Sequence, residues 1–239
     1  MRKGKMAVWY ECATKMRAMG TFYAIQYTIA VLITGILMIC LKTSEVGYSG
    51  FEVSSIVFVC IMGVLGFQED YKALIQNGFT RRYIFLATLG MFAAVCGLMA
   101  LIDTVMGNLL HAFNSHYAAL FGNLYGYGRF LTNWLWLTAV CLLACSVSYL
   151  VVLVIHRAGK VCTLLIGTAL GGVALLVLTL LRFVASPEFT AKLAQFAMNA
   201  MGFMNDGTVC VWMPIATFLL AVGVLSLGSY LLIRRSELK

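Results

Sequence analysis

The chain has 239 residues, 62% of them hydrophobic and 11% charged, with a formal net charge of +8. An ordinary soluble domain carries roughly 25% charged residues, and a fold of this size leaves too much surface in contact with solvent to hide so much apolar matter, so the solvent that suits it is lipid. The positive charge does not point to nucleic acid, because the cations stand at the ends of apolar runs and not on one face of a soluble domain.

Backbone amides exposed to hydrocarbon go unsatisfied, so spanning segments are helices or a closed barrel. The apolar runs here are long and unbroken, without the alternation of barrel strands. The expected fold class is an all-α polytopic membrane protein: a single transmembrane domain over 1–239 with six spans. Residues 1–20 read as an amphipathic surface helix, with Met6, Trp9, Tyr10, Ala13 and Met16 at helical spacing and Lys5, Glu11, Lys15 and Arg17 elsewhere around the wheel. The first span, 21–41, is too long for the core of a removable signal peptide, and none is expected.

A second, shorter span over 51–67 is followed by a polar cytoplasmic segment over 68–82, and then a third span over 83–106. An outer connection, Gly107 to Thr132, holds His111, His116, Tyr125, Tyr127 and Phe130, with both histidines read as polar loop residues. The fourth and fifth spans, 133–155 and 161–184, are joined by the tight turn His156-Arg157-Ala158-Gly159-Lys160. An outer amphipathic segment over 186–209 precedes the last span, 210–233. With the amino terminus inside, 13 of the 17 lysines and arginines fall on the cytoplasmic side, which places both termini in the cytoplasm.

Chemistry-bearing constellations are sparse. There is no GxxxxGK[ST] phosphate loop, no HExxH and no GxSxG, so no catalytic, cofactor-binding or metal site is expected. The cysteines, seven of which lie in or beside apolar runs, show no CxxC or Cys/His metal spacing and read as small lipid-compatible residues. Asp103 and Arg182 lie late in the third and fifth spans, where they are candidates for an intramembrane pair or for reaching the interface separately. Glu52 reads as interfacial, and Gly167 and Gly171 form a GxxxG that lets another helix approach closely.

The most informative stretch is GFQEDYKALIQNGFTRRYIF, Gly66 to Phe85. Phe67, Tyr71 and Leu74 share one helix face while Glu69, Lys72 and Gln76 share another. Gly78 suits the end of that helix with a positive φ, Thr80 the cap of the next, and Arg81 and Arg82 its cytoplasmic anchor. This arrangement resembles the permease subunits of ABC-2-type ABC transporters, in which an acidic and aromatic segment runs into a G-x-[ST]-R turn between the second and third spans. The matching residues are Glu69, Tyr71, Leu74, Gly78, Thr80 and Arg81, and the order of segments along the whole chain is similar as well.

The resemblance implies that Gln68, Glu69, Asp70, Tyr71, Leu74, Gly78, Thr80 and Arg81 contact a separate ATP-binding subunit. It implies two copies of that subunit, carrying the ATP and Mg, and a second permease, identical or homologous. The expected protein is then not itself an enzyme but a multi-pass subunit in a bacterial plasma membrane, exporting an amphipathic or hydrophobic compound or peptide. A membrane-embedded regulatory or assembly subunit shares the same topology. An intramembrane enzyme needs polar groups converging at one depth from several spans, and the sequence displays no such set.

Overall fold

The computed structural model describes residues 2–41, 49–65, 78–113, 117–183, 187–204 and 206–234. Among them are eight helices: α1 (Arg2–Leu41), α2 (Phe51–Leu65), α3 (Arg81–Phe113), α4 (Leu120–Tyr125), α5 (Phe130–Ala158), α6 (Lys160–Phe183), α7 (Pro187–Ala200) and α8 (Trp212–Arg234). The described residues contain no strand, only an isolated bridge between Phe203 and Val209. Among the described residues, three helices are long and apolar enough to cross a bilayer: 32 residues of α3, all 29 of α5 and all 23 of α8. At 1.5 Å per residue even the shortest of these reaches about 34 Å, more than a hydrocarbon core of about 30 Å.

The amino-terminal region differs from the expectation of a surface helix that turns into a span. α1 is a single 40-residue helix that passes through Gly20 without a break. A glycine inside a helix costs only about 1 kcal/mol relative to alanine. No proline lies in this stretch to end the hydrogen-bond ladder, so the helix propagates. Met6, Trp9 and Tyr10 have side chains outside the described set.

The chain divides into two packed units, Met1–Ser148 and Tyr149–Lys239. In the first, α1 and α2 both pack on α3. Ile84, Thr88, Met91, Val95, Met99 and Asp103 recur every three or four residues and form the buried face of α3. Leu86, Leu98, Val105 and Leu109 of the same helix are exposed and just as apolar. Water would select polar residues there, so this two-sided apolarity is the mark of a helix set between protein and lipid.

Two contacts fix α5 within this unit. Trp134 Nε1 donates to the Gly97 carbonyl of α3 at 2.9 Å. Gly63 of α2 lies so close to α5 that a Cβ built on it would fall 2.6 Å from the Cys145 carbonyl oxygen. Only glycine permits that approach.

In the second unit, Gly159 at φ 81° separates α5 from α6 and donates its N–H to the Ile155 carbonyl. α7 opens on Pro187, whose fixed φ suits a first helical position. It closes in a Schellman arrangement: Phe203 N–H donates to Met198 O, Gly202 N–H donates to Asn199 O, and Gly202 sits at φ 86°. The chain then doubles back through Gly207 so that Cys210 N–H reaches Gly202 O at 2.9 Å. α8 returns against α7, with Thr217 Oγ1 donating to the Ala200 carbonyl. On α7, Phe189, Leu193 and Phe196 make an exposed apolar stripe at i, i+4 and i+7. All the described side chains of α6 are exposed too.

Candidate functional site

Inside the first unit, three helices turn polar residues towards one another. On α1, Tyr23, Gln26 and Tyr27 share a face; on α2, Glu52 and Ser55 are one turn apart; on α3, Met99 and Asp103 are one turn apart. Tyr23 Oη lies 2.9 Å from Asp103 Oδ1 and 3.1 Å from the Met99 carbonyl. Asp103 is 3% exposed, and its second oxygen, Oδ2, has no hydrogen-bond partner. Ser55 is fully buried; its hydroxyl lies beside Tyr23 and Asp103 without a well-formed hydrogen bond to either.

An aromatic ladder extends this seam. Tyr23 and Tyr27 stack with centroids 5.9 Å apart, Tyr27 meets Phe51 at 5.5 Å, and Phe51 meets Tyr117 at 6.1 Å. Gln26 Nε2 donates to the Phe51 carbonyl at 3.1 Å, pinning α1 to the start of α2.

The connection between α3 and α5 folds over the end of the ladder. Glu52, 3% exposed, accepts the Leu120 N–H on Oε2 at 2.9 Å. Leu120 opens α4, whose preceding residue Ala119 offers no side-chain cap, so a carboxylate from α2 satisfies one of its free amides. The Tyr127 hydroxyl donates to the Tyr117 carbonyl at 3.1 Å and accepts the Ala119 N–H at 3.0 Å. His111 stacks on Tyr127 with centroids 3.6 Å apart and rings within 2° of parallel, and its Nδ1 lies 3.1 Å from the same Tyr117 carbonyl. That contact requires the Nδ1–H tautomer when the ring is neutral. Gly122 makes room for the Tyr127 ring, which a Cβ there would strike. Burial, and after it the Glu52 carboxyl, push the Tyr117 phenol well above its usual value.

Several sequence expectations change here. Glu52, expected at the membrane interface, is buried within the protein, because the aromatic connection folds onto it and supplies an amide. His111 is not a loose loop residue but part of the last turn of α3, held by Tyr127. Polar groups do converge from α1, α2 and α3, where the sequence displayed no such set. The signal lay in Tyr23, Ser55 and Asp103, single polar residues inside apolar runs.

Of the expected docking residues, Gln68, Glu69, Asp70, Tyr71 and Leu74 lie outside the described residues. Gly78 sits at φ 76°, and Thr80 and Arg81 mark the start of α3, where the Thr80 carbonyl accepts the Ile84 N–H at 3.1 Å. For the expected pair, Asp103 is held by Tyr23, while the Arg182 side chain and His116 lie outside the described set. A Cβ on Gly167 or Gly171 would meet nothing within 4 Å. Cys96, Cys141 and Cys145 are buried in the first unit, and all seven described cysteines are free.

The seam contains carboxyls, phenols and a hydroxyl. The described residues hold no group of three metal-ligating side chains. What this arrangement supplies is hydrogen bonding and proton binding inside an apolar interior. No family model, curated protein or solved structure matches the chain.

Proposed function

We propose that the chain is a transmembrane permease subunit of an ABC-2-type ABC transporter, crossing the cell membrane six times with both termini in the cytoplasm. Two ATP-binding subunits supply ATP hydrolysis, and a second permease, identical or homologous, completes the path. The cargo is an amphipathic or hydrophobic compound or peptide, in keeping with the few charges the spans offer.

The observation that carries this reading is the segment leading into α3. An acidic and aromatic stretch, 68–77, ends at Gly78 with φ 76° and gives way at Thr80 to a helix opening with Arg81 and Arg82. A short segment held between two apolar helices passes rigid-body movement from a docked ATPase to the membrane. The distribution of basic residues supports the orientation, with 13 of 17 on the side that holds this segment. Helix α6, exposed along its described length and bearing Gly167 and Gly171, offers a face on which a second permease packs closely.

Copurification tests the docking segment. The wild-type chain retains an ATP-binding subunit through affinity purification in mild detergent. Glu69→Lys, which reverses a charge, and Gly78→Pro, which cannot hold the positive φ, each lower that retention at least tenfold while the permease still inserts. Unchanged retention by both variants excludes this segment as the contact.

A further inference from the structure

Asp103 is a carboxyl only 3% exposed, and the atoms around it decide its protonation by counting hydrogens. Tyr23 carries one phenolic proton yet has two oxygens within bonding distance, Asp103 Oδ1 at 2.9 Å and Met99 O at 3.1 Å. If the carboxyl is ionised, the phenol serves one neighbour, and the other contact joins two oxygens with no hydrogen between them. A buried anion is then left with Oδ2 bare. Burying a charge without a partner is far more costly than burying the same group neutral.

If Asp103 is protonated, both short contacts of Tyr23 carry a hydrogen. Its Oδ1–H donates to Tyr23 Oη, and Tyr23 O–H donates to Met99 O. One hydrogen then lies along each short contact, and Oδ2 remains as a neutral carbonyl oxygen facing the unpartnered Ser55 hydroxyl. The titratable groups turned towards Asp103 are Tyr23 and Tyr27 from α1, Glu52 from α2, Tyr117 from the connection and Cys141 from α5. All of these are neutral or acidic, and none offers a positive charge to an aspartate.

We propose that Asp103, clasped by Tyr23 beside Ser55, is a proton-binding site within the membrane, occupied when α1 is packed on α3. Loss of the proton strands a carboxylate next to Glu52 and leaves one of the two Tyr23 contacts without a hydrogen, so protonation is coupled to the α1–α3 contact. This inference does not depend on the permease reading, since it uses only the packing of the first unit.

Infrared difference spectroscopy on the full chain in lipid nanodiscs at neutral pH tests it. Wild type minus Asp103→Asn isolates the carboxylic-acid C=O stretch of one protonated side chain, which shifts in deuterium oxide. Glu52→Gln retains that band, assigning it to Asp103. Tyr23→Phe keeps the acid but removes its acceptor, so the band moves to the higher frequency of a free carboxyl group, a readout that holds even if Asp103→Asn fails to fold. Carboxylate bands in place of the acid band at neutral pH overturn the proposal, as does an acid band that Tyr23→Phe leaves unmoved.

Discussion

Gly63→Val destabilises the chain, whereas Gly97→Ala does not. The two glycines sit on neighbouring helices in equally apolar sequence, yet their surroundings differ. A Cβ at position 63 would lie 2.6 Å from the Cys145 carbonyl oxygen and 3.2 Å from Ser148 Cβ. The nearest obstacle is helix backbone, which cannot swing aside as a side chain would, so α2 and α5 must separate. Overpacking of this kind costs about 1–3 kcal/mol, and more where backbone has to move. At Gly97 a Cβ meets nothing within 4 Å, and alanine gains up to about 1 kcal/mol of helix propensity. Thermal unfolding in detergent, followed by circular dichroism, reads the contrast. Maleimide labelling of Cys145, buried in wild type, reports the separation itself and rises in Gly63→Val. Equal stability of the two variants contradicts the close α2–α5 contact. In the proposed transporter the same variant also weakens coupling, because α2 leads directly into the docking segment.

The sequence made helices and turn glycines legible because each depends on local composition. Runs of apolar residues gave α3, α5 and α8 to within a few residues at most ends, although α3 runs seven residues beyond its expected end at Met106. The continuity of α1 was less legible, since one glycine is a weak stop signal and the surrounding residues outweigh it. The polar seam was not legible for a different reason. Tyr23, Ser55 and Asp103 meet only when three helices take a particular rotation and depth relative to one another, and in lipid neither face of a span is marked by polarity. Asp103 stands out in the sequence by its depth alone, as a candidate partner for Arg182 or a residue reaching the interface, while the contact it makes is with a tyrosine 80 residues away in sequence. The aromatic connection carries a readable signal of its own: Tyr117 and Phe121 are too apolar for an open loop, and both are buried.

That connection is where removal of a single side chain has its widest consequence. Glu52→Ala takes the acceptor from the Leu120 N–H, leaving a partly buried donor unmatched in the first turn of a six-residue helix. An unsatisfied buried donor costs about 1–3 kcal/mol, and a helix this short has no cooperative reserve to absorb it. The expected result is opening of the connection around Leu120, with amide exchange there accelerated roughly ten- to hundredfold, at tenfold per 1.4 kcal/mol. Tyr117 packs against Phe51, next to Glu52 in sequence, so the opening also frees the outer end of the aromatic ladder. Glu52→Gln has the opposite outcome, since its amide oxygen reaches the same N–H at nearly the same length and carries no charge to bury. Hydrogen–deuterium exchange by mass spectrometry on a peptide spanning Leu120 separates the two variants. If Glu52→Gln opens the connection as far as Glu52→Ala does, the negative charge and not the hydrogen bond holds it closed, and the capping role assigned to Glu52 is wrong.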